Sequence, residues 1–143
     1  MSELKKIISD AIGMEPIETE ESDSVFKVEV AKEKAVDTIL KLKDIGFSYL
    51  TMLTAVCRED DFDVVYMLDN WKHKSRIWIY TRILKASPNI QSLTPHWVAA
   101  DWLEREVYDM YGIEFEDHPN MTRILTPFDF TKFPLRKDFK ETD

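Results

Sequence analysis

Arg76-Ile77-Trp78-Ile79-Tyr80-Thr81-Arg82-Ile83 alternates without interruption, with Ile77, Ile79, Thr81 and Ile83 on one side and Arg76, Trp78, Tyr80 and Arg82 on the other. Successive side chains of a strand point to opposite faces, so this period of two predicts a strand with one buried face. Phe62 to Leu68 reads the same way, with Phe62, Val64, Tyr66 and Leu68 set against Asp63, Val65 and Met67. Phe47 to Cys57 is a longer run of β-formers and hydroxyls. Only Arg58-Glu59-Asp60-Asp61 and Asp69 to Ser75 separate the three runs. Connections that short predict an antiparallel meander.

Further out, Val25 to Val30 alternates Phe26, Val28 and Val30 on one face and predicts another strand. Glu33 to Ile45 predicts a helix burying Val36, Ile39, Leu40 and the stem of Lys43, closed by Gly46. Ser2 to Ala11 predicts a short amphipathic helix, and the acidic stretch Glu15 to Asp23 a solvated connection. Clustered strands with helices before and after give an α+β fold. Its two layers are a mixed, mainly antiparallel sheet with helices packed on it, followed by an irregular C-terminal tail.

The last helix is the most informative. Leu93 to Gly112 predicts a helix over residues 95–111, with Thr94 as cap, Pro95 at the first helical position, Leu93 and Val98 as a hydrophobic staple, and Gly112 closing the far end. Its apolar face carries Trp97, Ala100, Leu103, Val107, Tyr108, Met110 and Tyr111, and Glu104 falls inside that face. Asp101, Arg105, Glu106 and Asp109 lie opposite, with Asp101–Arg105 and Arg105–Asp109 spaced as i,i+4 ion pairs. Trp102 sits among those charges. A carboxylate on an apolar face must be paired or protonated. Two readings of Glu104 stand: a structural pair with Arg123 or Arg136, or a general acid with a raised pKa facing a pocket. For Trp102 the alternatives are partial cover by a later loop and an anchor for another protein.

The whole chain narrows the function. Its 143 residues make one domain with room for a core, and 44% hydrophobic with 32% charged residues is ordinary for a soluble protein. No apolar run approaches membrane-spanning length, and no signal-peptide core is present. One cysteine, Cys57, excludes an internal disulfide and fits a reducing cytoplasm. A net charge of −8 argues against nucleic acid as partner. Three glycines leave no glycine-rich phosphate loop. His73, His96 and His118 are scattered without metal-ligand spacing, so no metal site and no catalytic constellation is expected. Residues 113–143 hold Pro119, Pro127 and Pro134 with five phenylalanines, too aromatic for a disordered tail. Such a segment lies along a surface, its own or a partner's.

Four groups of residues carry a resemblance. They are Glu104-Arg105-Glu106-Val107-Tyr108-Asp109-Met110-Tyr111-Gly112-Ile113 with Phe115, His118-Pro119-Asn120-Met121, Arg123-Ile124-Leu125, and Pro134-Leu135-Arg136-Lys137-Asp138-Phe139. Together they resemble the signature of the thirty-kilodalton subunit of respiratory complex I, and the similarity runs from about Ile45 to Phe139. Three positions depart from it: Asp117 where glycine often precedes His-Pro, Thr122 where a second basic residue is usual, and Phe133 where histidine usually precedes Pro-Leu-Arg.

The resemblance implies a non-catalytic subunit in the peripheral arm of a proton-translocating NADH:quinone oxidoreductase. It would carry no cofactor itself, the iron–sulfur clusters, flavin and quinone residing in neighbouring subunits. Its implied partner is the large hydrogenase-like subunit beside the iron–sulfur relay and quinone site, on the cytoplasmic side of the membrane. The implied organisation is a domain over residues 1–112 and a docking segment over residues 113–143. The implied interface and signature residues are Trp102, Glu104, Arg105, Glu106, Asp109, Gly112, His118, Pro119, Arg123, Pro134, Arg136, Lys137 and Asp138. The equivalent subunit of an energy-converting membrane-bound [NiFe] hydrogenase is the close alternative, and the three departures lean towards it. A free-standing enzyme using Glu104 as acid or base is the remote one.

Overall fold

The structure is a computed structural model that describes residues 3–19, 22–126 and 133–135. In chain order it contains α1 (Glu3–Ile12), β1 (Ile17–Thr19), β2 (Ser22–Val30), α2 (Ala35–Asp44), β3 (Tyr49–Cys57), β4 (Asp61–Asn70), β5 (Ser75–Leu84), β6 (Asn89–Gln91), α3 (Val98–Tyr111) and β7 (Glu114–Glu116). The chain forms two compact units, residues 1–52 with 65–81, and residues 53–64 with 82–143.

The first unit holds a mixed sheet in the order β1-β2-β5-β4-β3. β2 and β5 run parallel, with Val25 opposite Arg76 and Val30 opposite Thr81. β3, β4 and β5 follow one another as neighbours through connections of three and four residues, which only antiparallel strands can use. The expected α+β architecture with helices on a mixed sheet is therefore present. α1 contributes Ile8, and α2 contributes Ala35, Thr38, Ile39 and Leu42, to the buried interior. Val36 and Leu40, expected to be buried, are only half-buried, because the inward face of α2 centres on Ile39 and Leu42. Glu15 to Asp23 is not merely a connection: β1 pairs antiparallel with β2 there.

The alternation of β5 holds, with Ser75, Ile77, Ile79, Thr81 and Ile83 all buried. β4 does not alternate in burial. From Phe62 to Asn70 every residue is buried, the signature of a strand covered on both faces.

The second unit carries the remaining ends of β3, β4 and β5, together with β6, α3 and β7. β6 and β7 pair in parallel, Ile90 opposite Phe115, so the region after Gly112 is not wholly irregular. Three residues per strand are too few for a periodic signal in sequence. Ile90, Leu93, Ala100, Val107, Ile113 and Phe115 form the buried interior beside α3.

The expected helix over residues 95–111 is shorter and begins at Val98. Trp97 takes an extended backbone (φ −141, ψ 128) that no helix continues through, and no side chain caps the start. Thr94, Pro95 and His96 instead form a preceding turn in which His96 and Trp97 donate to the Leu93 carbonyl (2.9 and 3.1 Å). The staple does not form, since Leu93 is buried while Val98 is 95% exposed. The far end closes as expected: Gly112 is left-handed (φ 79, ψ 18) and donates to the Tyr108 carbonyl at 2.8 Å.

Candidate functional site

Two carboxylates on α3 are completely buried, and they are handled in opposite ways. Glu104 points into the apolar side of its helix. Its Oε1 accepts from the Ser92 hydroxyl at 2.6 Å and its Oε2 from the Leu93 N–H at 2.7 Å. Arg123, one of the expected partners, is engaged elsewhere, so the neutral donors just before α3 satisfy Glu104 in its place. Burial outweighs these two bonds and pushes the carboxyl up to about 7, with the Asp101 charge adding to the rise. Ser92 Oγ also accepts from the Thr94 N–H (3.0 Å) and meets Thr94 Oγ1 at 2.8 Å. The raised pKa that an acid–base catalyst needs is present, but the access is not. Glu104 is 0% exposed.

Asp109, expected on the charged outer face, is the second buried carboxylate. Arg123 Nη1 donates to its Oδ1 at 2.8 Å and to its backbone carbonyl at 3.0 Å. The backbone N–H groups of Ile124, Leu125 and Thr126 all converge on Oδ2, at 3.1, 2.6 and 3.0 Å, and the Thr126 hydroxyl donates to Oδ1. Burial opposes the charge, yet these donors together hold the carboxyl down at about 2. Asp109 is therefore a permanent anion around which residues 123–126 are wound.

Neither expected i,i+4 pair forms, because each member has a better partner after the helix. Arg105 donates to the Thr122 carbonyl (3.2 Å) and hydroxyl (3.1 Å) and to the Arg123 carbonyl (3.5 Å). The Asp101 backbone carbonyl meets His118 Nε2 at 3.2 Å, and Asp101 Oδ1 lies 3.2 Å from the same nitrogen without a hydrogen bond. His118 Nδ1 accepts the Asn120 N–H at 2.9 Å, which fixes the proton on Nε2 in the neutral ring. Trp102 Nε1 donates to Glu106 Oε1 at 2.7 Å, leaving the indole 52% exposed. Phe133 packs edge-on against Tyr108 (6.2 Å between centroids) and lies under the Arg123 guanidinium at 4.7 Å. Leu135 N–H donates to the Met110 carbonyl at 3.0 Å. The helix thus acts as a spine that clamps the following segment, with Leu125 and Leu135 left 57% and 54% exposed.

The sequence profile described as "Respiratory-chain NADH dehydrogenase, 30 Kd subunit" matches residues 28–143. The chain belongs to this family. A relative from Citrifermentans bemidjiense, named as an NADH-quinone oxidoreductase subunit, is 41% identical over 116 residues, covering 78% of this chain and 72% of that one. Among solved structures, a trypsin-resistant fragment of Nqo5 superposes with a TM-score of 0.69 at 27% identity, over 82% of this chain and 98% of the fragment. A chain of the membrane-bound sulfane sulfur reductase, an archaeal respiratory membrane complex, superposes with a TM-score of 0.82 at 25% identity, over 96% and 84%.

Within the family's signature, the structure gathers Glu104, Arg105, Asp109, Gly112, His118 and Arg123 around α3 and the segment after it. Glu106 supports Trp102, while Pro119 is exposed and Pro134 half-buried beside Phe133. Arg136, Lys137 and Asp138 lie outside the described residues. The three departures now have a physical context. Asp117 adopts φ 65, a left-handed conformation that glycine enters most readily, and its Oδ2 accepts from Gln91 at 3.0 Å. Thr122 receives Arg105, and Phe133 fills the space over Gly112.

Sequence reasoning missed Ser92, Leu93 and Thr126, which contribute hydroxyls and backbone N–H groups among polar neighbours of no distinctive pattern. Among the described residues there is no cluster of histidine, cysteine and carboxylates able to hold a metal, and no helix long and apolar enough to cross a membrane.

Proposed function

We propose that the chain is a non-catalytic subunit in the peripheral arm of a proton-translocating NADH:quinone oxidoreductase, on the cytoplasmic side of the membrane. In this role it carries no cofactor and braces the large hydrogenase-like subunit near the iron–sulfur relay and quinone site. The observation that carries the reading is the clamped segment. A buried anion, an arginine and a closing glycine are spent on fixing the path of residues 121–126, while Trp102, Leu125 and Leu135 remain exposed. Rigid presentation of apolar side chains is what a docking surface requires, because it lowers the ordering cost of binding. The segment 113–143 is the docking element in this reading, and α3 holds its residues 122–126.

The test is affinity purification from the native host in mild detergent, with co-purifying chains identified by mass spectrometry. Flavin-binding and iron–sulfur subunits beside the large subunit are the expected result, and recovery of the chain alone overturns it. The superposition on a chain of an archaeal respiratory membrane complex supports a second reading, the same structural role in a hydrogenase-type complex. A co-purifying large subunit with intact nickel-binding cysteine pairs would select that one. A cofactor-free subunit also predicts that the purified chain shows no visible absorption. A stoichiometric flavin or cluster chromophore would contradict the reading.

A further inference from the structure

The first unit carries a second feature that the α3 surface does not use. Trp71 and Tyr49 stack at 4.1 Å with an interplanar angle of 13°, and they are 67% and 46% exposed. Two open hollows flank the indole, of about 350 and about 480 Å³. Asn70 lines both. It is 1% exposed; its Oδ1 accepts the His73 N–H at 3.2 Å, which orients the amide, and its Nδ2 has no partner among the described residues. Ser75, 6% exposed, lines the smaller hollow, and its hydroxyl is likewise unpartnered. Two buried groups able to donate, both without acceptors, are costly unless something supplies them.

The floor is built to admit this arrangement. Gly46 stands at φ +118, and a Cβ there would come within 2.8 Å of Asn70 Nδ2, so only glycine leaves the amide in place. Around the rim, Lys72, His73 and Lys74 follow Trp71 directly and are exposed. No ion pair among the described residues engages any of the three. Asp69 is taken up by Arg76 at 2.7 Å and by Thr51 at 2.8 Å, which leaves Asp44 as the other carboxylate on the lining. Lys72, Lys74 and Arg76 are thus three basic side chains facing two carboxylates, in a chain whose net charge is −8.

We propose that this hollow pair is a docking site for an acidic, extended peptide segment of another protein chain. Donor groups and cations select acceptors and carboxylates, and the exposed indole offers a flat apolar face for the residue between them. The charge complementarity is local, since the rest of the molecule repels acidic partners. The inference does not rest on the α3 surface, which lies in the other unit.

The test uses the full chain and a fluorescein-labelled hexapeptide of alternating glutamate and phenylalanine, read by fluorescence anisotropy. Saturable binding is expected, weakened at least tenfold in K72E/K74E and in W71A, with thermal unfolding unchanged because all three side chains are exposed. The same peptide with glutamine in place of glutamate should not bind. Equal binding of the glutamine peptide, unweakened binding to K72E/K74E, or no binding of the acidic peptide overturns the proposal. Capture of the chain by phosphatidylglycerol vesicles that displace the peptide would assign the site to a membrane surface and overturn it as well.

Discussion

Glu104 and Asp109 are five residues apart on one helix, equally buried, and their pKa values are displaced in opposite directions. The difference lies in the heavier desolvation of Glu104 and in the number of donors: two around Glu104, and five groups including a guanidinium around Asp109. For Glu104 the folded pKa near 7 exceeds the ordinary value of 4.5, so the folded protein holds its proton more tightly than the unfolded chain. Its contribution is fully present below pH 4.5 and is lost as pH rises to 7, by on the order of 3 kcal/mol. Denaturant unfolding between pH 5 and 8 should show that decline, and Glu104→Gln should flatten it and be the more stable form at pH 8. For Asp109 the folded value is depressed, so its contribution is present above pH 3.8 and disappears as pH falls through 2. Asp109→Asn removes the buried charge on which Arg123 and three backbone N–H groups converge, and should cost about 3 kcal/mol in thermal or chemical unfolding at neutral pH. Unchanged stability would mean that the clamp is not what fixes residues 123–126. The anomaly of Glu104 was legible in the sequence because a carboxylate interrupted a periodic face. The burial of Asp109 was not, since it lies among charges on the opposite face and is covered by a segment with no periodicity.

The elements show the same division between local pattern and distant cover. β5 and the closure of α3 at Gly112 follow from alternation and from one glycine, both local signals. The true start of α3 does not, because Thr94-Pro95 matches a helix entry while Leu93 and Ser92 are committed to Glu104, which holds the turn away from helical geometry. β1, β6 and β7 are three residues each and exist through their partners. The helix end also makes a prediction. Gly112→Ala forces a side chain into left-handed backbone and brings its Cβ within 2.8–3.0 Å of the Phe133 ring. It should cost about 2 kcal/mol or more, measured by chemical denaturation. Adding Phe133→Ala should recover only the steric share, because the backbone strain remains.

For the molecule as a whole, the strand cluster was readable from period and connection length, whereas the parallel pairing of β2 with β5 left no local signal. The site was readable mainly through its resemblance to a family, and no arrangement of reactive groups announced it. Trp102→Ala should leave the unfolding midpoint of the isolated chain within a degree or two and weaken its association with the assembled complex by about 2 kcal/mol. Retention of the variant at wild-type stoichiometry under a salt wash would move the docking face away from α3.

The parallel pairing of β2 with β5 has a consequence for the timing of biosynthesis. Val25 meets Arg76 and Val30 meets Thr81, a constant separation of 51 residues. A ribosome adding on the order of 10 residues per second exposes β2 several seconds before its neighbour exists. Over that interval β2 has only the short β1 to pair with, and its other edge is open. The nascent chain therefore passes through a stage at which holdase chaperones have a defined target, and that stage ends only when β5 has left the exit tunnel.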